Sequence, residues 1–434
     1  MGFLSSLFKK KNKSVVIGLD GTPHSLITKF INDGTMPNLA QLIKNGSLYQ
    51  MDSSIPEISS VAWSSFMTGT NPANHNILGF VDLKENSYDL MFPNFSNLKT
   101  PTIWDEIAKN EKRSIIINLP STYPAKQING ILIAGFVAPN LEKAVYPASI
   151  LPLLKEMKYL VDVDFSKAQK NPDEFIKDLF DSLDIRIKTI LHFWDNEKWD
   201  FLTGILTGTD RLHHFLWQAL EEPDHKYHDT FINFYKKIDD LFGKILSRMN
   251  ENIQLFVMSD HGFTRLKKQV YLNYWLKEKG YLNYEKFPPD SLNDMTSDTK
   301  AFVIEPSRLF INLKGKFPKG NVEKNDYEKL RDDISAQLSE LKDADGNLMI
   351  NRVYKKEEVY SGPYLNKAAD LLIISNHGYD LKGSIKKDCL TEDSHFTGMH
   401  TQDDAFIASN KELNFSKKPS ISDLKPIIIE QILK

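Results

Sequence analysis

The stretch that decides the fold is VVIGLDGTP, residues 15–23. Its first half, residues 15–19, is short, apolar and rich in β-branched side chains, which is typical of a strand buried on both faces of a parallel sheet. Its second half is a turn that opens on Asp20. In parallel sheets, reactive groups gather beyond the carboxyl ends of the strands. We therefore expect a functional site to begin at Asp20.

Further short apolar runs follow the same pattern. They predict strands at residues 115–119, 131–136, 201–206, 253–258, 371–374 and 405–408. Apolar residues at helical spacing alternate with these runs and predict helices at residues 25–32, 38–45, 228–249 and 421–433. Such alternation indicates an α/β fold, with a mostly parallel central sheet and helices on both of its faces.

Two stretches break the alternation, from about residue 86 to 198 and from about residue 266 to 365. The first carries helices of its own. The second holds a polar, proline-bearing stretch, a predicted strand at 308–313 and a charged helix at 324–341. We interpret both stretches as insertions that form a cap beside the main sheet. The predicted organisation is a basic leader at 1–13 and a catalytic domain at 14–434.

The bulk composition excludes some classes of protein. The chain has 434 residues, a net charge of −3 and a sequence pI near 6.4. Because there is no global excess of positive charge, bulk binding of nucleic acid is not expected. The single cysteine, Cys389, rules out a disulfide framework within the chain and fits a reducing compartment.

The leader joins an apolar stretch at residues 3–8 to four lysines, Lys9, Lys10, Lys11 and Lys13. The apolar stretch is too short for the core of a signal peptide, and the positive charges follow it instead of preceding it. No run approaches the ~18 apolar residues of a membrane span. These features predict a cytoplasmic protein. A frayed leader is the simpler interpretation, and weak contact with an anionic membrane surface is the alternative.

Aspartate and histidine residues collect at the predicted strand ends. Six of them, placed at four separate ends, are Asp20, Asp210, His214, Asp260, His261 and His400. Carboxylate oxygens and imidazole nitrogens are the ligands that zinc prefers and manganese accepts. The sequence therefore predicts a metal site at this edge of the sheet.

The individual signals leave alternatives open. Asp210 and His214 are four residues apart, so that a helix places both on one face. His213, three residues from Asp210, is the rival of His214. Asp260 and His261 come directly after an apolar strand, but an aspartate that caps the next helix beside an incidental histidine is an equally good interpretation.

A hydroxyl-rich turn, ISSVAWSSFMTG at residues 58–69, enters a predicted helix. The free N–H groups and the dipole of a helix N-terminus favour a bound phosphate. A serine at this position is a candidate nucleophile if a metal lowers the pKa of its hydroxyl. The alternative is that these serines only cap the helix. The composition of the turn does not separate the two interpretations.

Short motifs recur in one order along the chain, namely IGLDG (17–21), MPNL (36–39), AWSSFMTG (62–69), NPANH (71–75), TDRLHHFLW (209–217), SDHGF (259–263), FINLKG (310–315) and GMH (398–400). Together they resemble the type I phosphodiesterase/nucleotide pyrophosphatase family of the alkaline phosphatase superfamily. The resemblance extends from about residue 15 to 409, nearly the whole chain. A single motif of this length would be a hypothesis only.

The resemblance implies two bound metal ions, usually zinc. It implies that one ion is held by Asp210, His214 and His400 and the other by Asp20, Asp260 and His261. The family nucleophile, also bound to the second ion, is a Thr or Ser four residues before the tryptophan of its motif. That residue is Ser59 here, with Ser60 as the nearest rival. His395 lies close to His400 in sequence and is the histidine most easily confused with it.

The resemblance further implies an alkaline phosphatase-like fold and a metal-dependent hydrolase that cleaves phosphodiester or pyrophosphate bonds through a phosphoserine. Alkaline phosphatase itself places an arginine near its nucleophile to hold the extra charge of a monoester, and no arginine lies near Ser59 in the sequence. We therefore expect a small-molecule diester or a nucleotide-like substrate. A phosphomonoesterase or a phospho-group transferase using the same site is the alternative. A silent binding protein is a third class, but it would not require the complete ligand set.

Overall fold

The computed structural model describes residues 12–434. The predicted basic leader lies outside the described residues, except for Asn12 and Lys13. Lys13 begins the first strand, so the sheet starts one residue before the predicted boundary. Among residues 12–434, no helix combines the length and the apolar character that crossing a membrane requires.

Strands and helices alternate along the chain, and each predicted strand agrees with an observed one to within two residues at either end. The strands are β1 Lys13–Leu19, β2 Ser47–Met51, β3 Asp82–Leu83, β4 Leu90–Met91, β5 Ser114–Leu119, β6 Gly130–Ala134, β7 Val145–Tyr146, β8 Phe201–Leu206, β9 Ile253–Met258, β10 Gly262–Arg265, β11 Lys268–Tyr271, β12 Ala301–Ile304, β13 Arg308–Ile311, β14 Ile350–Lys355, β15 Leu371–Ser375, β16 Tyr379–Lys382, β17 Thr391–Glu392, β18 Gly398–Thr401 and β19 Ala405–Ser409. The α-helices are α1 His24–Asn32, α2 Pro37–Ile43, α3 Ser59–Thr68, α4 Pro72–His75, α5 Ile103–Ala108, α6 Leu151–Glu156, α7 Lys167–Lys170, α8 Pro172–Asn196, α9 Gly208–Glu221, α10 His228–Leu246, α11 Leu272–Glu278, α12 Tyr327–Ser339, α13 Lys356–Val359 and α14 Leu424–Leu433.

The centre of the molecule is an eight-stranded sheet in the order β2-β19-β9-β1-β8-β5-β6-β7. The five inner strands, from β9 to β6, are parallel. Near the two edges, β19 and β7 run antiparallel to their neighbours. Helices α1, α2, α8, α9 and α10 pack on one face, and α3, α5 and α14 pack on the other. The predicted α/β class is therefore confirmed.

The prediction that residues 86–198 form a cap insertion is wrong. This stretch supplies β5, β6 and β7 to the central sheet. Its long helix α8 packs on the same core through Phe175, Ile187 and Ile190. The polar loops that separate these elements interrupt the strand–helix pattern in the sequence, but the apolar runs between the loops are buried in the main sheet.

The second predicted insertion, residues 266–365, has an apolar core of its own. The core surrounds an antiparallel sheet in the order β12-β13-β15-β14, so it continues past residue 365 into β15. A smaller sheet, β16-β11-β17, adjoins it. We refer to the elements from β11 to β17 as the second unit. Its role as a cap beside the main sheet stays a prediction.

The central strand β1 is buried because parallel neighbours and helices enclose it on all sides. Gly18 lies directly beneath the side chain of Trp63 from α3. A Cβ atom at Gly18 would lie 2.5 Å from Cη2 of Trp63 and 2.6 Å from Cδ1 of Ile205. The glycine therefore allows α3, which carries the predicted nucleophile, to approach the sheet closely.

We expect Gly18→Ala to lower the free energy of unfolding by about 1–3 kcal/mol, because the added methyl group overpacks the core against a rigid indole ring. The measurement is the midpoint of denaturant unfolding. Gly204→Ala in the neighbouring strand β8 is the matched control, since its added Cβ would meet the flexible end of Ile190 at 2.5 Å. A loss in Gly18→Ala no larger than the loss in Gly204→Ala would contradict this account.

The order of the inner strands positions the functional residues. Strands β9, β1 and β8 are neighbours, and their carboxyl ends open onto one edge of the sheet. Asp20 follows β1, Asp260 follows β9, and α9 with Asp210 begins just after β8. The short strand β18 pairs with β10 and brings His400 opposite Phe263. Residues far apart in sequence therefore meet at this edge.

Candidate active site

Ser59 is the first residue of helix α3. Ile58 before it is extended and provides no side-chain cap, and its carbonyl accepts hydrogen bonds from the N–H groups of Val61 and Ala62. The buried Ser59 hydroxyl donates to Oδ1 of Asp20 at 3.2 Å and lies 3.3 Å from Nε2 of His261. The Ser59 hydroxyl thus lies at the helix N-terminus, where the first N–H groups lack partners within the helix.

Ser60, the rival of Ser59, has a different environment. Its hydroxyl oxygen is buried and has no hydrogen-bond partner among the described residues. Its carbonyl accepts hydrogen bonds from the hydroxyls of Ser64 at 2.6 Å and Ser121 at 3.1 Å. Of the two serines, Ser59 is therefore the one whose hydroxyl contacts the aspartate and histidine residues of the site.

The structure brings all six predicted metal ligands into two groups of three. One group is Asp20, Asp260 and His261, and the other is Asp210, His214 and His400. Within each group, one ligand atom from every residue lies within 4.8 Å of the others. Bonds of about 2.0–2.2 Å to a zinc ion would bring such atoms to within about 4.4 Å of one another. The two groups are adjacent, because the rings of His261 and His400 stack at 3.7 Å.

Side chains from α3 and α9 hold Asp20 in place. The indole N–H of Trp63 donates to its Oδ2 at 3.1 Å, and the hydroxyl of Thr209 donates to its backbone carbonyl at 2.6 Å. Gly21 adopts a left-handed φ of 65°, which a glycine adopts without strain, and its N–H donates to Oδ1 of Asp260 at 2.9 Å. No signal in the sequence motif around Trp63 predicted its bond to Asp20.

His213 and His395 do not belong to either group. The Nδ1 atom of His213 lies 2.9 Å from the carbonyl of Gly21, and its Nε2 atom lies 2.8 Å from the hydroxyl of Tyr235. Burial lowers the pKa of His213 to about 3, so the ring is neutral and supports the Asp20 turn from behind. His395 packs against Phe396, with ring centroids 4.2 Å apart.

Arg211 supports the second group. Its guanidinium donates to Oδ2 of Asp210 at 2.7 Å and to Oδ2 of Asp162 at 2.6 Å. It also lies over the rings of Phe136, at 5.1 Å, and Phe165, at 5.8 Å. The other oxygen of Asp210 is thereby directed at the two histidines of its group. Sequence reasoning missed this role because Asp162 and Phe136 are distant in the chain.

We expect Arg211→Met to weaken binding of a divalent ion at Asp210 by about 10–100-fold, since partners that orient a metal ligand commonly contribute that much. The measurement is competition with a chromophoric chelator. Arg265→Met is the control, because Arg265 forms its ion pairs with Glu221 and Glu222 at the partly exposed surface. Equal affinities in the two variants would show that Arg211 does not orient Asp210.

The three titratable side chains of the first group are buried beside one another. Burial, with repulsion from Asp260 and Asp210, raises the pKa of Asp20 well above its usual range. Burial likewise raises the pKa of Asp260 to about 7. Burial and the neighbouring His400 lower the pKa of His261 to about 4. The raised pKa values are those of carboxylates that need a positive charge beside them, and the lowered pKa keeps the His261 ring neutral, the form that binds a metal ion.

The second group differs in the pKa of its carboxylate. Burial alone would raise the pKa of Asp210, but its interactions with His214, His400 and Arg211 outweigh burial and hold the pKa well below its usual range.

Both groups fit divalent cations. The Oδ2 atom of Asp260 is buried and has no hydrogen-bond partner among residues 12–434, and such an atom is costly unless a cation or a donor meets it. Each group offers carboxylate and imidazole ligands, which suit zinc and several other ions. The outer partners Trp63, Arg211 and Gly21 are of the kind that orients metal ligands. The residues present therefore match the metal pair that the sequence predicts.

A small cavity of about 110 Å³ opens beside the second group, between the sheet edge and the second unit. His214, His400 and Phe396 line it on one side, and Asp380 and Lys382 line it on the other. A larger cavity of about 310 Å³ lies between residues 76–97 and the second unit and is lined by none of the predicted ligands. Of these two cavities, the smaller one therefore adjoins the site.

Glu57 lies at the rim of the site and was missed in the sequence. Its backbone carbonyl is 2.9 Å from Nδ1 of His400. Its side chain lines both the 110 Å³ cavity and a second cavity of about 60 Å³. Burial raises the pKa of Glu57 to about 7. Its position two residues before Ser59 was the only signal in the sequence.

Comparisons with known proteins agree with this geometry. The sequence profile of the family described as type I phosphodiesterase/nucleotide pyrophosphatase matches residues 14–403. No curated protein sequence matches the chain.

Solved structures resemble the chain over almost its full length. Phosphonoacetate hydrolase from Sinorhizobium meliloti 1021, in complex with phosphonoformate, has 16% identity and a TM-score of 0.65, with 97% of this chain and 96% of that chain covered. Murine ectonucleotide pyrophosphatase/phosphodiesterase 5, in an inactive form with AMP, has 14% identity and a TM-score of 0.56, with 98% and 95% covered. At these identities the likeness shows a shared fold.

Proposed function

The chain belongs to the type I phosphodiesterase/nucleotide pyrophosphatase family and is a phosphoric ester hydrolase, and from this premise we propose how it works. It hydrolyses phosphodiester or pyrophosphate bonds of a small molecule through a phosphoserine on Ser59. Two divalent ions, zinc in the first instance and manganese as the alternative, occupy the two groups of ligands.

The position of the Ser59 hydroxyl is the main support for this proposal. The Ser59 hydroxyl lies 3.2 Å from Asp20 and 3.3 Å from His261, at the N-terminus of α3 and beside a second complete set of ligands. A serine that only capped the helix would not need these neighbours. Divalent ions bound there would neutralise the charge of the phosphate and lower the pKa of the Ser59 hydroxyl.

In the first step, Ser59 Oγ forms a bond to phosphorus while the bond from phosphorus to the leaving oxygen breaks. The leaving oxygen takes up the proton that Ser59 gives up, by way of solvent. Because Ser59 touches the Asp20 group, an in-line leaving oxygen lies on the opposite side, toward Asp210, His214 and His400. The N–H groups at the start of α3 are directed at the phosphate.

In the second step, a water oxygen forms a bond to phosphorus while the bond from phosphorus to Ser59 Oγ breaks. Ser59 Oγ takes up the proton that the water gives up. Each step inverts the configuration at phosphorus, so that the complete reaction retains it. Positioning and charge neutralisation account for most of the catalysis in such reactions. Trp63 and Arg211 contribute by fixing the carboxylates of Asp20 and Asp210.

A diester or pyrophosphate suits the site better than a monoester. A monoester carries an additional negative charge, which an arginine usually holds. Arg211 is the arginine beside this site, and it already pairs with Asp162 and Asp210. Its positive charge is therefore already offset by two carboxylates.

The test is hydrolysis of bis(p-nitrophenyl) phosphate beside p-nitrophenyl phosphate, first with metal-stripped protein and then after addition of zinc or manganese. We expect metal-dependent cleavage of the diester and weak cleavage of the monoester. A preference for the monoester would make the protein a phosphatase. An alkyl phosphate product formed from an added alcohol would make it a transferase. Absence of metal-dependent activity on every ester tested would contradict the proposal.

A further inference from the structure

The cavity between residues 76–97 and the second unit is separate from the active site, since neither Ser59 nor any of the six predicted metal ligands lines it. Its volume of about 310 Å³ falls at the lower end of the roughly 300–1,000 Å³ of pockets that enclose a small ligand. The lining combines apolar side chains, among them Leu78, Leu83 and Met91, with asparagines and lysines. The cavity thus has the size and the mixed lining of a small-molecule site that the proposed reaction does not use.

An aromatic wall of this cavity is held in place by the packing of the second unit. Phe310 and Phe317 line the cavity. The ring of Phe317 stacks on that of Tyr88, with centroids 5.5 Å apart and planes 12° apart, and the Tyr88 hydroxyl donates to Oδ1 of Asn312 at 2.7 Å. Because these contacts need no ligand, the wall is formed in advance, which lowers the entropic cost of binding.

Lys316 places a positive charge beside the same wall. Its side chain is 27% exposed, and its Nζ atom lies 5.5 Å from the ring centroid of Phe310 and 5.4 Å from that of Phe317. It faces one carboxylate, that of Asp370, at 3.9 Å, which is beyond the length of a hydrogen bond. Among the described residues, the Lys316 ammonium therefore has a distant ion-pair partner and no hydrogen-bond acceptor.

Asp370 does not need Lys316. Its carboxylate already accepts hydrogen bonds from the Lys356 ammonium at 2.7 Å, the Tyr327 hydroxyl at 2.6 Å and the N–H of Ile311 at 2.8 Å. Two ammonium groups thus share one buried carboxylate. Burial lowers the pKa of Lys316, and attraction to Asp370 only partly offsets this effect. A partly buried cation with free donors is costly unless an anion meets it.

The other charged side chains of the lining leave this excess positive charge in place. Asp82 is paired with the buried guanidinium of Arg308 at 2.8 Å. The remaining charges are exposed, and they consist of two lysines and one glutamate, namely Lys84, Lys367 and Glu85. Exposed charges of this kind contribute little to binding. A ligand with one anionic group and an apolar body therefore fits the cavity better than a cation or a multiply charged anion.

We propose that this cavity binds a small organic carboxylate. Its anionic group lies on the Lys316 ammonium, and its alkyl or aryl body packs against Phe310, Phe317 and the apolar side chains opposite them. The site is distinct from the one that hydrolyses the ester, and the inference does not depend on the proposed function.

The test compares two probes of equal size, 4-phenylbutyrate and its neutral amide 4-phenylbutanamide, by isothermal titration calorimetry with the full-length protein. We expect the wild type to bind the acid about tenfold or more tightly than the amide, since a hydrogen bond to a charged group commonly contributes that much. In Lys316→Met we expect the two affinities to become nearly equal. Lys316→Arg keeps the charge and should keep most of the preference. The ratio of two ligands on one protein cancels differences in the amount of folded protein.

Lys84→Met is the matched control. Lys84 also lines the cavity, but its side chain is 58% exposed and its ion pair with Asp89 spans 3.9 Å. We expect this variant to bind 4-phenylbutyrate within a few-fold of the wild type. A loss in Lys84→Met as large as that in Lys316→Met would overturn the assignment to Lys316.

Three further results would overturn the inference. The first is equal affinity of the wild type for the acid and the amide. The second is a preference for the acid that persists in Lys316→Met, which would place the carboxylate elsewhere, for example on the metal ions. The third is the absence of saturable binding of both 4-phenylbutyrate and octanoate up to their solubility limits.

Discussion

Replacing Ser59 by alanine is expected to lower kcat/KM for bis(p-nitrophenyl) phosphate by at least ~10³-fold, because removal of a nucleophile abolishes the covalent route and leaves only binding and charge stabilisation. The six Asp and His ligands of the two metal groups are untouched by this change. The protein should therefore keep its two metal ions and its thermal stability. The measurement is steady-state kinetics together with the metal content of the purified variant.

Ser60→Ala is the matched control. Ser60 follows Ser59 directly, but its hydroxyl has no partner among the described residues and is not directed at Asp20 or His261. We expect activity within a few-fold of the wild type. The opposite pattern, with Ser60→Ala inactive and Ser59→Ala active, would move the nucleophile by one residue.

Replacing His400 by alanine is expected to lower the bound metal from about two ions to about one per chain and to lower kcat by at least ~10²-fold. The imidazole lies 3.1 Å from Asp210 and 3.0 Å from His214, so its loss opens one side of that group. Asp20, Asp260 and His261 keep their own contacts and should retain an ion. Elemental analysis after dialysis gives the metal content.

His395→Ala is the control for the His400 variant. His395 is five residues away and packs against Phe215 and Phe396, outside both groups of ligands. It should keep both ions and most of the activity. Loss of metal from both variants alike would mean that the segment around β18, instead of the His400 side chain, controls binding.

Much of the fold followed from local sequence because parallel strands buried on both faces have a distinctive composition. The apolar run at residues 15–19 and the runs that became β8 and β9 are long enough to be read without knowledge of their neighbours. The same runs fix where Asp20, Asp260 and His261 fall, since each lies just past a strand end. His400 followed from its motif, because the pairing of β18 with β10 involves strands more than 130 residues apart in the sequence.

The rest depended on contacts between distant residues. Residues 86–198 were predicted as a cap because polar loops separate β5, β6 and β7. Only the sheet itself shows that β5 pairs with β8 and that β6 and β7 follow it to the edge. The bond from Trp63 to Asp20, the ion pair of Arg211 with Asp162 and the contact of the Glu57 carbonyl with His400 are equally non-local. Residues that support the metal ligands have no fixed spacing that a sequence motif could reveal, unlike the metal ligands themselves.

In the proposed mechanism, the phosphoryl group is transferred to Ser59 and then to water. Its most direct test is the stereochemistry of hydrolysis of a chiral phosphorothioate diester in isotopically labelled water, with phosphorus NMR reporting the configuration of the product. Two in-line displacements predict retention of configuration. Inversion would mean that water attacks the substrate directly and that Ser59 forms no covalent intermediate.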